Sequence, residues 1–312
     1  MKKTLSCTWL IAALFLISFI IGSCKKELSD SNLTPQQEED IATTASQSET
    51  ETELVFNDVF DNVMGVNAEV GLGGTGVFGR TAASGSLNGR ENGIDSVPSC
   101  VILTVTHLNA PDLFPVKIVI DFGSGCIGKD GHTRSGKIIT TYSGRLTVPG
   151  KSATTTFDGF KIDSISVQGT HTITNSTTAG SNQRQFSIEI SDAKLSKPSS
   201  NYSQWTSQRV ITQVEGNGTP DLAIDDVFTI TGSAHGKVKS GNDLFAWHSE
   251  IVEPLRKRFG CHWVSKGVLK VWRETLTSNS QWAATLNYGD GTCDFLATLT
   301  INGTAKTIKL PH

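Results

Sequence analysis

The chain of 312 residues reads as an all-β protein: an antiparallel meander forming a sandwich of about a dozen strands, preceded by a short N-terminal helix and a disordered tether. Three observations predict this. From about residue 97 onward apolar side chains recur with period two, as in Phe186, Ile188 and Ile190 alternating with Ser187 and Glu189, or Ile118, Ile120 and Phe122 alternating with Lys117 and Asp121. Turn-forming strings such as Phe157-Asp158-Gly159, Gly216-Asn217-Gly218, Ser240-Gly241-Asn242 and Ile301-Asn302-Gly303 punctuate the alternation. No later segment carries an apolar stripe of 3.6-residue period, so nothing supplies the crossover helices that parallel strands need.

Residues 1–23 read as a secretory signal, in which Lys2 and Lys3 precede an apolar run from Trp9 to Ile21. The run is short for a spanning helix of roughly 20 apolar residues. It ends in Ile21-Gly22-Ser23-Cys24, which resembles the lipobox of bacterial lipoproteins, so Cys24 is expected to become the lipidated first residue and membrane anchor. The expected location is outside the cytoplasm, at the outer membrane, on its periplasmic or surface face. Cleavage leaves 25 basic against 30 acidic residues, a net charge of −5, which argues against a nucleic-acid partner.

Residues 24–47 are polar and nearly free of large apolar groups, as expected of a tether. Over 48–65, Ser48 and Glu51 have capping-box spacing, Phe56, Val59, Phe60 and Val63 recur at helical intervals, and Gly65 stands where a left-handed cap would fall. A Gly/Ser-rich linker is expected over 66–96. Its formal GxGxxG, Gly71 to Gly76, follows a helix rather than a strand, so no nucleotide or other cofactor is implied. The β domain occupies 97–312.

Within that domain Cys100 opens one strand and Cys126 closes the next; Cys261 and Cys293 repeat the arrangement. In an antiparallel pair those positions are neighbours, which predicts disulfides Cys100–Cys126 and Cys261–Cys293. The chain has no CxxC, HxH or HExxH, and its seven histidines are scattered, so zinc has no signature and no metal site is expected. Asp290 and Asp294 in LNYGDGTCD offer too few oxygens for calcium by themselves and read as the edge of a tight turn, with calcium kept as a weak candidate.

The strings LNYGDGTCDFLATLTINGTAKTIKLP, IDFGSGC, GKIITTYSGR, GTHTITN and TPDLAIDDVFTITGSAHG, together with SCKKE at the lipidation site, resemble a family of secreted lipoproteins common in Bacteroidota. The resemblance covers nearly the whole mature chain. It implies export and a β-rich fold, and it transfers no activity and no catalytic residue.

No GxSxG or other local signature places a nucleophile beside a base, and the adjacent Asp225 and Asp226 point to opposite faces of any regular strand. A non-catalytic structural or interaction module of the envelope is therefore expected, ahead of a secreted hydrolase. The alternative is a glycan-binding lipoprotein that uses Trp205, Trp247, Trp263 and Trp272, because flat aromatic rings stack on sugar faces. Core packing is the competing fate of each indole. The partners expected are the membrane, through the lipid, and an envelope glycan or protein.

Overall fold

A computed structural model describes residues 26–27, 33–78, 99–128, 130–219 and 223–311. The signal segment, Cys24 and most of the Gly/Ser-rich linker lie outside the described residues.

The elements are β1 (Lys26–Glu27), α1 (Pro35–Gly65), β2 (Ile102–His107), β3 (Val116–Asp121), β4 (Cys126–Ile127), β5 (Thr133–Tyr142), β6 (Ser152–Ile162), β7 (Ile165–Asn175), β8 (Gln185–Ser196), β9 (Tyr202–Glu215), β10 (Val227–Ser240), β11 (Asp243–Arg258), β12 (Lys266–Arg273), β13 (Ala284–Asp290), β14 (Leu296–Ile301) and β15 (Thr304–Lys309). All strands join one sheet in the order β15-β14-β13-β12-β11-β10-β9-β8-β7-β6-β5-β3-β2. β4 pairs with β5, and β1 lies parallel to the start of β11. Sequential neighbours are antiparallel throughout, as the period-two pattern and short turns require.

The sheet does not stay flat. β5, β7, β10 and β12 each shift register at a glycine: Gly136, Gly169, Gly232 and Gly267. Bulges raise the local twist and bend the strand. At Gly136, with φ +73°, a Cβ would stand 2.3 Å from the carbonyl oxygen of Gly159 on the neighbouring strand, so a side chain cannot enter. The sheet thereby curls over α1, and stretches of its inner face meet one another across the helix in a sandwich-like arrangement. Residues 55–60 of α1 are buried at every position, which one flat layer could not achieve.

α1 starts well before the residues read as its beginning. Thr34 caps it, its Oγ1 accepting from the Gln37 backbone N–H while the Gln37 Oε1 accepts from the Thr34 N–H, and Pro35 follows at the first position. Residues 35–47 of the expected tether are thus helical. Ser48 and Glu51 are interior instead: Ser48 donates to Ser203 on β9 and Glu51 pairs with Lys197. Gly65 is also no left-handed cap. It is the last helical residue, and a Cβ there would collide with Thr75 O at 2.0 Å. Residues 66–78 of the expected linker fold back onto the helix end, where the Leu72 and Gly73 N–H groups donate to Met64 O and the Val77 N–H donates to Asn62 Oδ1. The first two bonds satisfy the Met64 carbonyl, one of those the helix end leaves without a partner of its own.

The inner face packs Phe60 against Phe186, Phe228 and Phe259, and Phe56 against Phe157, His171 and Trp205. Both predicted disulfides are present, Cys100–Cys126 with Cα atoms 5.5 Å apart and Cys261–Cys293 with Cα atoms 5.9 Å apart.

Candidate functional site

α1 contains Glu38, Glu39, Asp40, Glu49, Glu51, Glu53, Asp58 and Asp61, and no lysine or arginine. Its cations come from the sheet. Arg273 of β12 pairs with Glu38, Arg209 of β9 with Glu49 and Glu53, Arg134 of β5 with Asp58, and Lys257 of β11 with Asp61. The Arg134 pair is two-pronged, at 2.6 and 3.1 Å. Glu49, fully buried, also accepts from the indole N–H groups of Trp205 and Trp247 and from Ser249 Oγ. Burial pushes the Glu53 carboxyl up against the opposing pull of Arg209, and pushes Asp61 up to about 6 against Lys257. These acids are spent on holding the helix.

That network decides the fate of two of the four candidate tryptophans. Trp205 and Trp247 are 2 % and 0 % exposed and face α1, so they form no glycan platform. The strand alternation allowed either face; the buried carboxylate of Glu49, a partner on an element distant in sequence, selects the inner one. Trp263 lies in the turn before β12, half-buried, donating to Pro311 O and packing near Phe295. Only Trp272 points outward. It stands opposite His248, which stands opposite His235, which stands opposite Thr206, one residue from each of β12, β11, β10 and β9. Ring centroids are 6.0 Å apart for His248 and Trp272 and 6.1 Å for His235 and His248. Gln208, Ser233 and Glu250 border the same open groove with hydroxyl, amide and carboxylate groups. Sequence parity alone missed the two histidines; the signal was present in their positions, since each sits one residue beyond an inward-facing neighbour.

Asp290 and Asp294 each brace their own turn. Asp290 Oδ1 accepts from the Thr292 N–H and hydroxyl, and Asp294 Oδ1 accepts from the Leu296 N–H. The bonds to Thr292 hold the Asp290 carboxyl below its usual range. Asp121-Phe122-Gly123 and Asn287-Tyr288-Gly289 are built alike: in each, the side-chain oxygen of the first residue accepts from the glycine N–H two residues on, at 2.8 and 2.9 Å.

Asp225 and Asp226 diverge, as their adjacency implies. Asp225 accepts from Thr219 at the surface. Asp226 is 1 % exposed and accepts from Gln213 Nε2 at 2.7 Å. Burial raises its carboxyl to about 7, with Arg184 pulling the other way.

The loops stapled by the two disulfides meet. Asp130 and His132, just past Cys126, and His262, next to Cys261, present ligand atoms all within 4.8 Å of one another. His132 Nδ1 is 2.7 Å from Asp163 Oδ2, in the turn between β6 and β7, and the His132 and His262 rings are 5.0 Å apart. Burial, then the neighbouring His132 and Lys257, hold His262 down to about 4. A pocket bounded by Glu51, Leu54, Asp58, Ile162 and Pro311 lies beside the two imidazoles.

Comparison with protein-family models, with curated proteins and with solved structures finds no match.

Proposed function

We propose that the chain is an exported, lipid-anchored, non-catalytic interaction module of the cell envelope that binds glycan along the outward face of β9 to β12. The observation that carries this is the row of Thr206, His235, His248 and Trp272, in which one residue per strand lines up across four strands. Flat rings at about sugar-ring spacing, bordered by hydroxyl, amide and carboxylate groups, suit the apolar face and polar rim of a saccharide. Export is supported by two disulfides and by the signal-like N-terminus.

The test is retention of the lipid-free mature chain on immobilised envelope polysaccharides. Trp272→Ala is expected to lower retention at least tenfold with an unchanged melting temperature. Wild-type retention by that variant, or no retention of the wild-type chain, overturns the reading. A second reading, a secreted hydrolase, draws on the pocket where Asp163, His132 and His262 meet; turnover of a glycan or ester substrate that His132→Ala abolishes would favour it.

A further inference from the structure

Asp130, His132 and His262 take no part in the outer-face row, yet among the described residues they form a group whose ligand atoms all lie within 4.8 Å of one another. We propose that these three side chains bind a divalent transition-metal ion, with zinc the occupant that two imidazoles and one carboxylate fit best.

The donor atoms lie within 4.8 Å of one another. Ligands about 2.1 Å from one ion stand at most about 4 Å apart, so side-chain rotation at exposed Asp130 and half-buried His262 closes the remainder. His132 is buried and directed by the bond from its Nδ1 to Asp163. That bond places the proton on Nδ1 and turns the Nε2 lone pair to the opposite edge of the ring, the arrangement by which a carboxylate orients a metal-binding histidine. Asp163 is itself fixed, accepting from the Thr133 N–H at 2.9 Å and holding φ +52° in its turn. Asp130 is positioned by Arg134, which donates to both of its oxygens at 3.1 and 2.6 Å. A carboxylate has about four lone-pair sites, so those bonds leave capacity for an ion.

The covalent frame points the same way. Cys126 precedes Asp130 by four residues and Cys261 directly precedes His262, so each disulfide pins one of the two loops that bring the ligands together. Within the first loop the Gly128 N–H donates to His132 O and the Gly131 N–H donates to Gly128 O, which fixes the turn between Asp130 and His132. Asp58, Asp130 and Asp163 surround the site against Arg134 and Lys257, a local balance that admits a dication. Three protein ligands leave a position for water or an oxygen ligand from the adjacent pocket.

The test uses the oxidised mature chain, stripped with chelator and titrated with Zn²⁺ by calorimetry and with Co²⁺ by visible absorption. Binding of one equivalent, with cobalt d–d bands of a four- or five-coordinate site, is expected. His262→Ala should weaken Zn²⁺ binding at least a hundredfold and Asp163→Asn about tenfold, while His235→Ala with His248→Ala leaves it unchanged. Loss of binding only in the His235 and His248 variant overturns the proposal, as does the absence of stoichiometric binding by the wild-type chain. Should a variant fail to fold, the wild-type cobalt spectrum decides: bands of imidazole-nitrogen ligation support the site, and a purely octahedral aqua-like spectrum overturns it.

Discussion

The indole N–H of Trp247, on β11, ends 3.1 Å from Glu49 Oε2 on α1, and the indole of Trp205 reaches the same oxygen from β9 at 2.8 Å. One helical carboxylate thus ties together two strands and, through Ser249 and Arg209, four separate donors. Removing it strands those donors in a dry interior. Glu49→Ala is expected to cost about 3 to 5 kcal/mol, the range for breaking a buried charged network on one side, and to lower the urea midpoint accordingly. A loss below about 1 kcal/mol in equilibrium unfolding would mean that Glu49 does not hold the helix in the sheet.

Asp226 sets a pH dependence of definite sign. Its carboxyl, raised to about 7 by burial, keeps its proton in the folded chain over a window in which the unfolded chain, titrating at about 4, has lost it. The folded state binds more protons there, so this group's contribution to stability declines as pH rises from about 4 to 7. Asp226→Asn removes that contribution. The difference in unfolding free energy between variant and wild type is expected to shift in favour of the variant across the window; a difference independent of pH would refute the assignment.

The bulge glycines are separable from ordinary turn glycines. Gly136→Ala places a Cβ 2.3 Å from Gly159 O at a left-handed φ and is expected to destabilise by about 3 kcal/mol. Gly180, also at positive φ, has open space where a Cβ would stand, so Gly180→Ala should cost only about 1 kcal/mol. Equal losses in thermal unfolding would show that the close strand approach does not shape the sheet.

The anchor proposed above is the lipidated Cys24, which lies outside the described residues. Cys24→Ser is expected to abolish incorporation of an alkyne-labelled fatty acid in a bacterial host and to leave the protein in the soluble fraction or as uncleaved precursor. Undiminished labelling of that variant would remove the lipoprotein reading.

Much of the scaffold is legible in the residues themselves, because it depends on interactions between near neighbours. Alternation at Phe186 to Ile190 decides which side chains face in, turn strings such as Asn302-Gly303 decide where the chain reverses, and strand order then places Cys100 beside Cys126 and Cys261 beside Cys293. The start of α1 was written too, in the Thr34-Pro35-Gln36-Gln37 cap, but its polar stretch carries no apolar stripe to draw attention to it.

What only the tertiary structure decided is where polar groups find partners. An acidic helix with no cation of its own resembles a solvated tether until Arg273, Arg209, Arg134 and Lys257 arrive from strands far along the chain; desolvation then costs less than it would for lone charges. The inward turn of Trp205 and Trp247 follows from Glu49, the outward row of His235, His248 and Trp272 from strand register, and the meeting of His132 with His262 from two loops that a curled sheet brings together. Local sequence sets the strand, its facing and its turns, because those are short-range sterics and hydrophobic burial. The site residues depend on long-range register and curvature, which come into existence only when the sheet closes around the helix.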